Sequence, residues 1–224
     1  MKRTFLAAAL AALCVVSAQA QDAAGSFSLK PMVGGTLTSL VGQDTEATKM
    51  KVGLVGGAEL SYQVSPQFAI SGGALYAMQG CHTHQSFDPK IKLHYLNIPL
   101  LANYYVAKGL AIKAGVQPGF LLGARESGWH EGARCYVNVD ELFNTFDMAI
   151  PIGISYEYKH FVIDARYCFG LTKMAKESNR YEDVSSYLPY DDPNRGYTIQ
   201  PLGFRGTNVR NSVFMLTVGY NISL

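Results

Sequence analysis

The chain has 224 residues, 48% of them hydrophobic and 16% charged, with 19 Lys and Arg against 17 Asp and Glu. Setting aside Lys2 and Arg3 at the extreme N-terminus leaves 17 basic and 17 acidic residues. That balance offers no basic surface for nucleic acid, and no stretch has the continuous apolar length of roughly 20 residues that a membrane helix needs.

In chain order, the first element reads as an export signal over residues 1–20. Lys2 and Arg3 supply its positive end, Phe5 to Val16 its short apolar run, and Ala18-Gln19-Ala20 its small-residue cleavage site before Gln21. Cys14 follows the bulky Leu13, a poor context for lipid attachment. Residues 21–224 then form one domain, and the chain is expected to be exported.

The domain alternates. Successive strand side chains point to opposite sides, so a period of two gives a sheet one greasy and one polar face. After a segment near 26–40, Val52, Leu54, Ala58, Leu60, Tyr62 and Val64 share one face, while Gly53, Gly57, Glu59, Ser61 and Gln63 share the other. Segments near 68–80 and 93–107 follow. Leu110, Ile112, Ala114, Val116, Phe120 and Leu122 alternate with Lys113, Gly115, Gln117 and Gly119. Phe146 to Tyr158 and Phe161 to Phe169 repeat the pattern, and Phe214 to Leu224 is its clearest instance. Tight turns at Ser65-Pro66-Gln67, Lys108-Gly109 and Lys159-His160 alternate with long connections near 41–50, 81–92, 126–144 and 174–209. Short turns at one end and long loops at the other predict an all-β fold: an eight-stranded antiparallel up-and-down transmembrane β-barrel.

Two features predict that the apolar face meets lipid. Lys30, Glu59, Lys113, Asp147, Glu157, Asp164 and Arg166 share the opposite face, where an eight-stranded barrel has room only for side chains that plug it. The aromatic residues fall into two groups near the strand ends, as expected of belts at the two membrane–water interfaces. Pro99, Pro118 and Pro151 interrupt the predicted strands and require bulges or widened pairing.

The hairpin Leu93–Gly123, LHYLNIPLLANYYVAKGLAIKAGVQPGFLLG, resembles the PorT-like outer-membrane β-barrel family. It carries that family's Tyr-Leu-x-Ile-Pro-Leu-Leu strand, a short turn and a Gly-x-x-Pro-Gly-type strand. The closing NSVFMLTVGYNISL is similar to the family's last strand, with Leu224 where an aromatic residue is commoner. The resemblance implies outer-membrane localisation and no catalytic motif, and one branch of the family is associated with protein secretion.

Other residues invite chemistry. Cys81 and Cys135 fall in the second and third long connections, and an oxidising export route permits a disulfide between them. The same cysteines with His82, His84 and His130 have zinc-ligand chemistry but no familiar spacing; solvated loop histidines are the simpler reading. No metal and no cofactor is expected. A lipid-hydrolysing barrel would need a serine within reach of a histidine, for which His94 with Ser71 or Ser212 can be proposed; without a nucleophile motif, an enzyme is not expected. The last long connection collects Tyr181, Tyr187, Tyr190, Arg195 and Tyr197, residue types that anchor binding surfaces. Asp191, Asp192 and Asn194 there offer only weak calcium chemistry. The leading expectation is a structural or partner-binding barrel, in contact with outer-membrane lipid, whose outer loops engage an envelope protein or glycan. A narrow pore or an accessory of a secretion apparatus is the alternative.

Overall fold

The computed structural model describes residues 23–42, 48–83, 90–130, 133–174, 176 and 209–224. The signal segment and most of the connection near 174–209 lie outside them.

Twelve strand segments form one sheet: β1 (Phe27–Val41), β2 (Thr48–Lys49), β3 (Lys51–Ser65), β4 (Phe68–Thr83), β5 (Lys90–Asn97), β6 (Leu100–Ala107), β7 (Leu110–His130), β8 (Ala133–Asn138), β9 (Phe146–Tyr158), β10 (Phe161–Gly170), β11 (Arg210–Tyr220) and β12 (Ile222–Ser223). Breaks separate β2 from β3, β5 from β6, β8 from β9 and β11 from β12, so the segments make eight walls. Every wall pairs antiparallel with its chain neighbours, and β1 pairs with β11 from Met32↔Gly219 to Val41↔Arg210. The last pairing closes the barrel and removes its edges.

The alternation becomes an inside and an outside. Along β1, Ser28, Lys30, Met32, Thr36, Thr38 and Leu40 are buried, whereas Leu29, Val33, Leu37 and Val41 are exposed. The outer surface carries Leu54, Ile70, Leu100, Ile112, Ile152, Ile154, Ile163, Leu216 and Val218, with Val52 as much as 73% exposed. Such a surface is stable only in hydrocarbon. Phe27, Tyr62, Tyr104, Tyr158, Phe161 and Tyr220 ring the short-turn end. Tyr76, Phe120, Phe146, Tyr167, Phe169 and Phe214 ring the other. Neighbouring rings touch within each belt, Phe27 with Tyr62 at 4.8 Å and Phe120 with Phe146 at 5.7 Å between centroids.

The prolines act where they stand. Pro99 falls in the gap between β5 and β6. Around Pro151 the β7–β9 ladder lapses between Ala114↔Ile152 and Gln117↔Ala149, while the β9–β10 ladder runs through Cys168↔Pro151 unbroken. Proline lacks one donor, so it weakens only the ladder on that side.

Three connections read as loops are partly sheet, the first through β2, which pairs with the end of β4. β4 runs on to Thr83 and β5 begins at Lys90; β7 reaches His130 and turns back as β8. Beyond the outer aromatic belt the apolar side chains lie inside: Ile91, Leu93 and Tyr95 are buried, and Lys92 is exposed. Beyond the belt the wall leaves the hydrocarbon for headgroups and water, so its polarity reverses.

Candidate functional site

The enclosed interior is layered. Nearest the short turns lies a ring of charge built from three strands. Lys113 of β7 donates to Glu59 Oε2 at 3.1 Å and to Asp164 Oδ2 at 2.6 Å. Arg166 of β10 donates through Nη1 to Glu59 Oε1 at 2.6 Å and through Nε to Asp164 Oδ1 at 2.7 Å. Two cations and two carboxylates thus alternate in a closed circuit whose charges cancel. Arg166 is 2% exposed and Glu59 1%, so each charge depends on its partners to offset lost hydration. Beside the circuit, Lys30 lies 3.5 Å from Glu157 Oε2, and Asn221 Nδ2 donates to Glu157 Oε1 at 2.7 Å. Asn103 Nδ2 donates to Ser71 Oγ at 3.0 Å. The space left among these groups is about 10 Å³, no more than the roughly 10–15 Å³ that one water requires.

Glycines make room for the circuit. Gly153 pairs with Lys113 on one side and Arg166 on the other. A Cβ there would stand 2.7 Å from Arg166 Cβ, and one at Gly73, opposite Glu59, would stand 2.8 Å from Glu59 Cγ. Alternation reveals the charged face in sequence; the interleaved glycines that let long ionic side chains cross the lumen carry no motif of their own.

Above the charges, Met32, Val55, Leu75, Ala77, Ala149, Cys168, Val213 and Met215 form an apolar layer. A polar layer follows. Lys51 Nζ donates to the carbonyls of Gln79 at 2.9 Å and Ile91 at 2.6 Å. Asn211 Nδ2 donates to Gln79 Oε1, and Thr172 Oγ1 to Asp147 Oδ1. Asp147 therefore stands apart from the other interior charges. A second apolar cluster closes the loop end with Leu40, Cys81, Ile91, Leu93, Tyr95, Ala124, Val139, Phe143, Met174 and Val209. Sequence reasoning missed this upper core, because inward apolar residues beneath polar outward ones invert the pattern sought in a membrane strand.

Other sequence candidates fall elsewhere. Cys81 is on β4, facing the interior, and not in a loop. Cys135 is on β8, and its side chain lies outside the described residues. The ladder runs Cys81↔Ile91, Ile91↔Glu126 and Gly128↔Cys135, so β5 and β7 stand between the two cysteines. Three strand spacings are about 14 Å along the wall, beyond the 4.4–6.8 Å Cα span of a disulfide; this register does not bring the pair together. Cys168 is buried in the interior. The side chains of His82, His84 and His130 lie outside the described residues, as do Asp191, Asp192 and Asn194 and the loop residues Tyr181, Tyr187, Tyr190, Arg195 and Tyr197. Among the described residues no three His, Cys, Asp or Glu side chains cluster for a metal ion. His94 points outward and hydrogen-bonds through Nδ1 with the Tyr76 hydroxyl at 2.6 Å, whereas Ser71 is buried inside and Ser212 meets Tyr167. The barrel wall separates His94 from Ser71.

No curated protein matches the chain in sequence. Among solved structures, it is similar to Ail, the attachment invasion locus protein of Yersinia pestis, at 14% identity over 89% of this chain and 99% of that one, with a TM-score of 0.47. Neisserial surface protein A matches at 11% identity over 87% and 96%, TM-score 0.46. The N-terminal β-barrel domain of Pseudomonas aeruginosa OprF matches at 11% identity over 90% and 100%, TM-score 0.35. Identities this low transfer no residue role. The family model described as outer membrane protein beta-barrel domain matches residues 19–176, a match to the broad family that does not single out the PorT-like branch. With most of its length covered by that model, and with a closed barrel greasy outside and ionic within, the chain belongs to the outer membrane beta-barrel family and resides in the outer membrane.

Proposed function

We propose that this barrel is a non-conducting anchor that presents its loop end to an envelope protein or glycan, after export directed by residues 1–20 and maturation to a domain spanning 21–224. The observation that carries this reading is the blocked lumen. The Glu59–Lys113–Asp164–Arg166 circuit spans the interior between β3, β7 and β10, and two apolar layers lie above it. An ion would have to break buried pairs and then cross hydrocarbon-like packing without water, which is prohibitive without rearrangement. Lys30, Glu157 and Asp147 reinforce the fill rather than line a path.

The upper core supports the presenting role. A packed cluster beyond the outer aromatic belt holds the β7–β8 hairpin and the segment around Met174 and Val209 as a firm base. Met174 and Val209, which this base holds, flank the connection whose sequence carries Tyr181, Tyr187, Tyr190, Arg195 and Tyr197, residue types favoured as anchors of binding surfaces. The hairpin Leu93–Gly123 supports placement in the PorT-like branch, and with it a secretion-accessory role as the second reading.

Planar-bilayer recording tests the blocked lumen. Silence is expected; reproducible single-channel steps would transfer the function to the pore reading. Crosslinking in intact cells followed by partner identification tests the presenting role, and a barrel captured without any envelope neighbour would remove it.

A further inference from the structure

A bulge in β7 turns Arg125 outward, beside the outward-facing Lys92 of β5. The β5–β7 ladder pairs His94 with Gly123 but Tyr95 with Leu121, so Leu122 is an extra residue in β7. An inserted residue reverses which side chains of a strand face out. Up to the bulge the even-numbered residues Ile112, Val116, Phe120 and Leu122 are exposed; past it Ala124 is buried and Arg125 is exposed. Arg125 pairs directly with Lys92, which is also exposed. Like charges opposite each other in a ladder repel. Among the described residues neither cation has an ion-pair partner. Asp140, on the adjoining turn, accepts the Ala124 amide hydrogen on Oδ1.

The height of the pair is set by its rows. Tyr76, Leu96, Phe120 and Phe146 are register partners in the outer aromatic belt. One outward row farther come Met78, His94 and Gly123; the next holds Gly80, Lys92, Arg125 and Asn138. Two rows advance about 13 Å along a strand, or about 10 Å along the membrane normal at a tilt near 40°. The cations therefore stand just beyond the ring belt, at the depth of lipid headgroups. Gly123 brings no side chain to the wall between them and His94, and the Tyr76–His94 hydrogen bond fixes the His94 ring at the lower edge of the site.

We propose that Lys92 and Arg125, with His94 beneath them, bind the phosphate of a phosphorylated glycolipid of the outer leaflet. The guanidinium supplies a planar fork for two phosphate oxygens and the ammonium a point charge for the third. The bound anion relieves the Lys92–Arg125 repulsion, while the acyl chains lie along the exposed Leu122 and Leu100 below. The conductance of the lumen has no bearing on this site.

The test is native mass spectrometry of the full-length barrel in neutral detergent, with phosphorylated lipid A and the same lipid after enzymatic removal of its phosphates. Wild type is expected to retain the phosphorylated lipid preferentially, and the K92Q/R125Q variant to bind it roughly tenfold or more weakly, with wild-type binding falling as salt rises. Both substitutions are at exposed positions, and a folded, heat-modifiable band on electrophoresis verifies the barrel. K92E/R125E provides a second variant and should abolish retention. Equal binding of both lipids, or unchanged binding by the double variants, overturns the proposal. So does displacement of the lipid by low-millimolar inorganic phosphate, which would assign the pair to a soluble anion.

Discussion

The two ends of the interior solve the same problem oppositely. Near the short turns the wall is gripped by lipid from outside, and the interior holds ions: Glu59, Lys113, Asp164 and Arg166. Beyond the outer aromatic belt the wall meets headgroups and water, and the interior holds Ile91, Leu93, Tyr95 and Phe143. The contrast teaches that a strand's polar face is set by the solvent outside it, and that one continuous ladder can serve two solvents by exchanging the roles of its faces.

The largest effect should come from removing one member of the charge circuit. Arg166→Met leaves Glu59 and Asp164 with Lys113 alone, and stability should fall by about 3–5 kcal/mol, read by urea unfolding in lipid vesicles. Replacing all four members with apolar residues of similar volume should recover most of that loss, because an ion circuit and a well-packed apolar fill are nearly equivalent once no charge is stranded. Were Arg166→Met harmless, the circuit would not be what holds the lower interior.

In the upper region, Leu93→Ala should cost about 2–4 kcal/mol, but locally. The expected readout is faster proteolytic cleavage at the loop end, with the embedded walls still resistant and still heat-modifiable on electrophoresis. Global unfolding in parallel with cleavage would show that the two halves form one cooperative unit.

The smallest effect concerns the turn between β9 and β10. Lys159 and His160 have φ of 46° and 74°, the left-handed pair of a two-residue hairpin that Asn-Gly adopts more readily. Replacing both with Asn-Gly should stabilise the barrel by about 1 kcal/mol, unless the Lys159–Tyr158 contact at 5.4 Å and the His160–Tyr220 contact at 5.7 Å contribute more than the backbone gains. Thiol counting adds a reading without an energy: denatured, non-reduced protein lacking residues 1–20 should label at Cys81, Cys135 and Cys168. Only one labelled cysteine would mean that the β7–β8 hairpin folds back toward β4.

The embedded walls were legible because lipid imposes a rule that every second residue must obey; Val52 to Val64 and Phe214 to Leu224 display it openly. The charged face was legible for the same reason, but not the partners: nothing in one dimension says that Lys113 lies between Glu59 and Asp164. The outer extensions were hidden because Lys90-Ile91-Lys92-Leu93 alternates in the sense of a soluble strand, which reads as loop when greasy residues are sought on the outside. The Leu122 bulge was equally hidden: Phe120-Leu121-Leu122-Gly123 has no residue that announces an insertion.

The seam between β1 and β11 has a consequence for assembly. Met32 and Gly219 are partners across nearly the whole length of the chain, and the Leu224 amide donates to the Phe27 carbonyl at 2.9 Å. Contacts between such distant positions form late, since the loop they close loses the most entropy. An inserted sheet with that seam open would hold β1 and β11 as two raw edges in a medium that offers no hydrogen bonds, so closure must accompany insertion, and damage to either flank leaves the sheet unable to enter the bilayer.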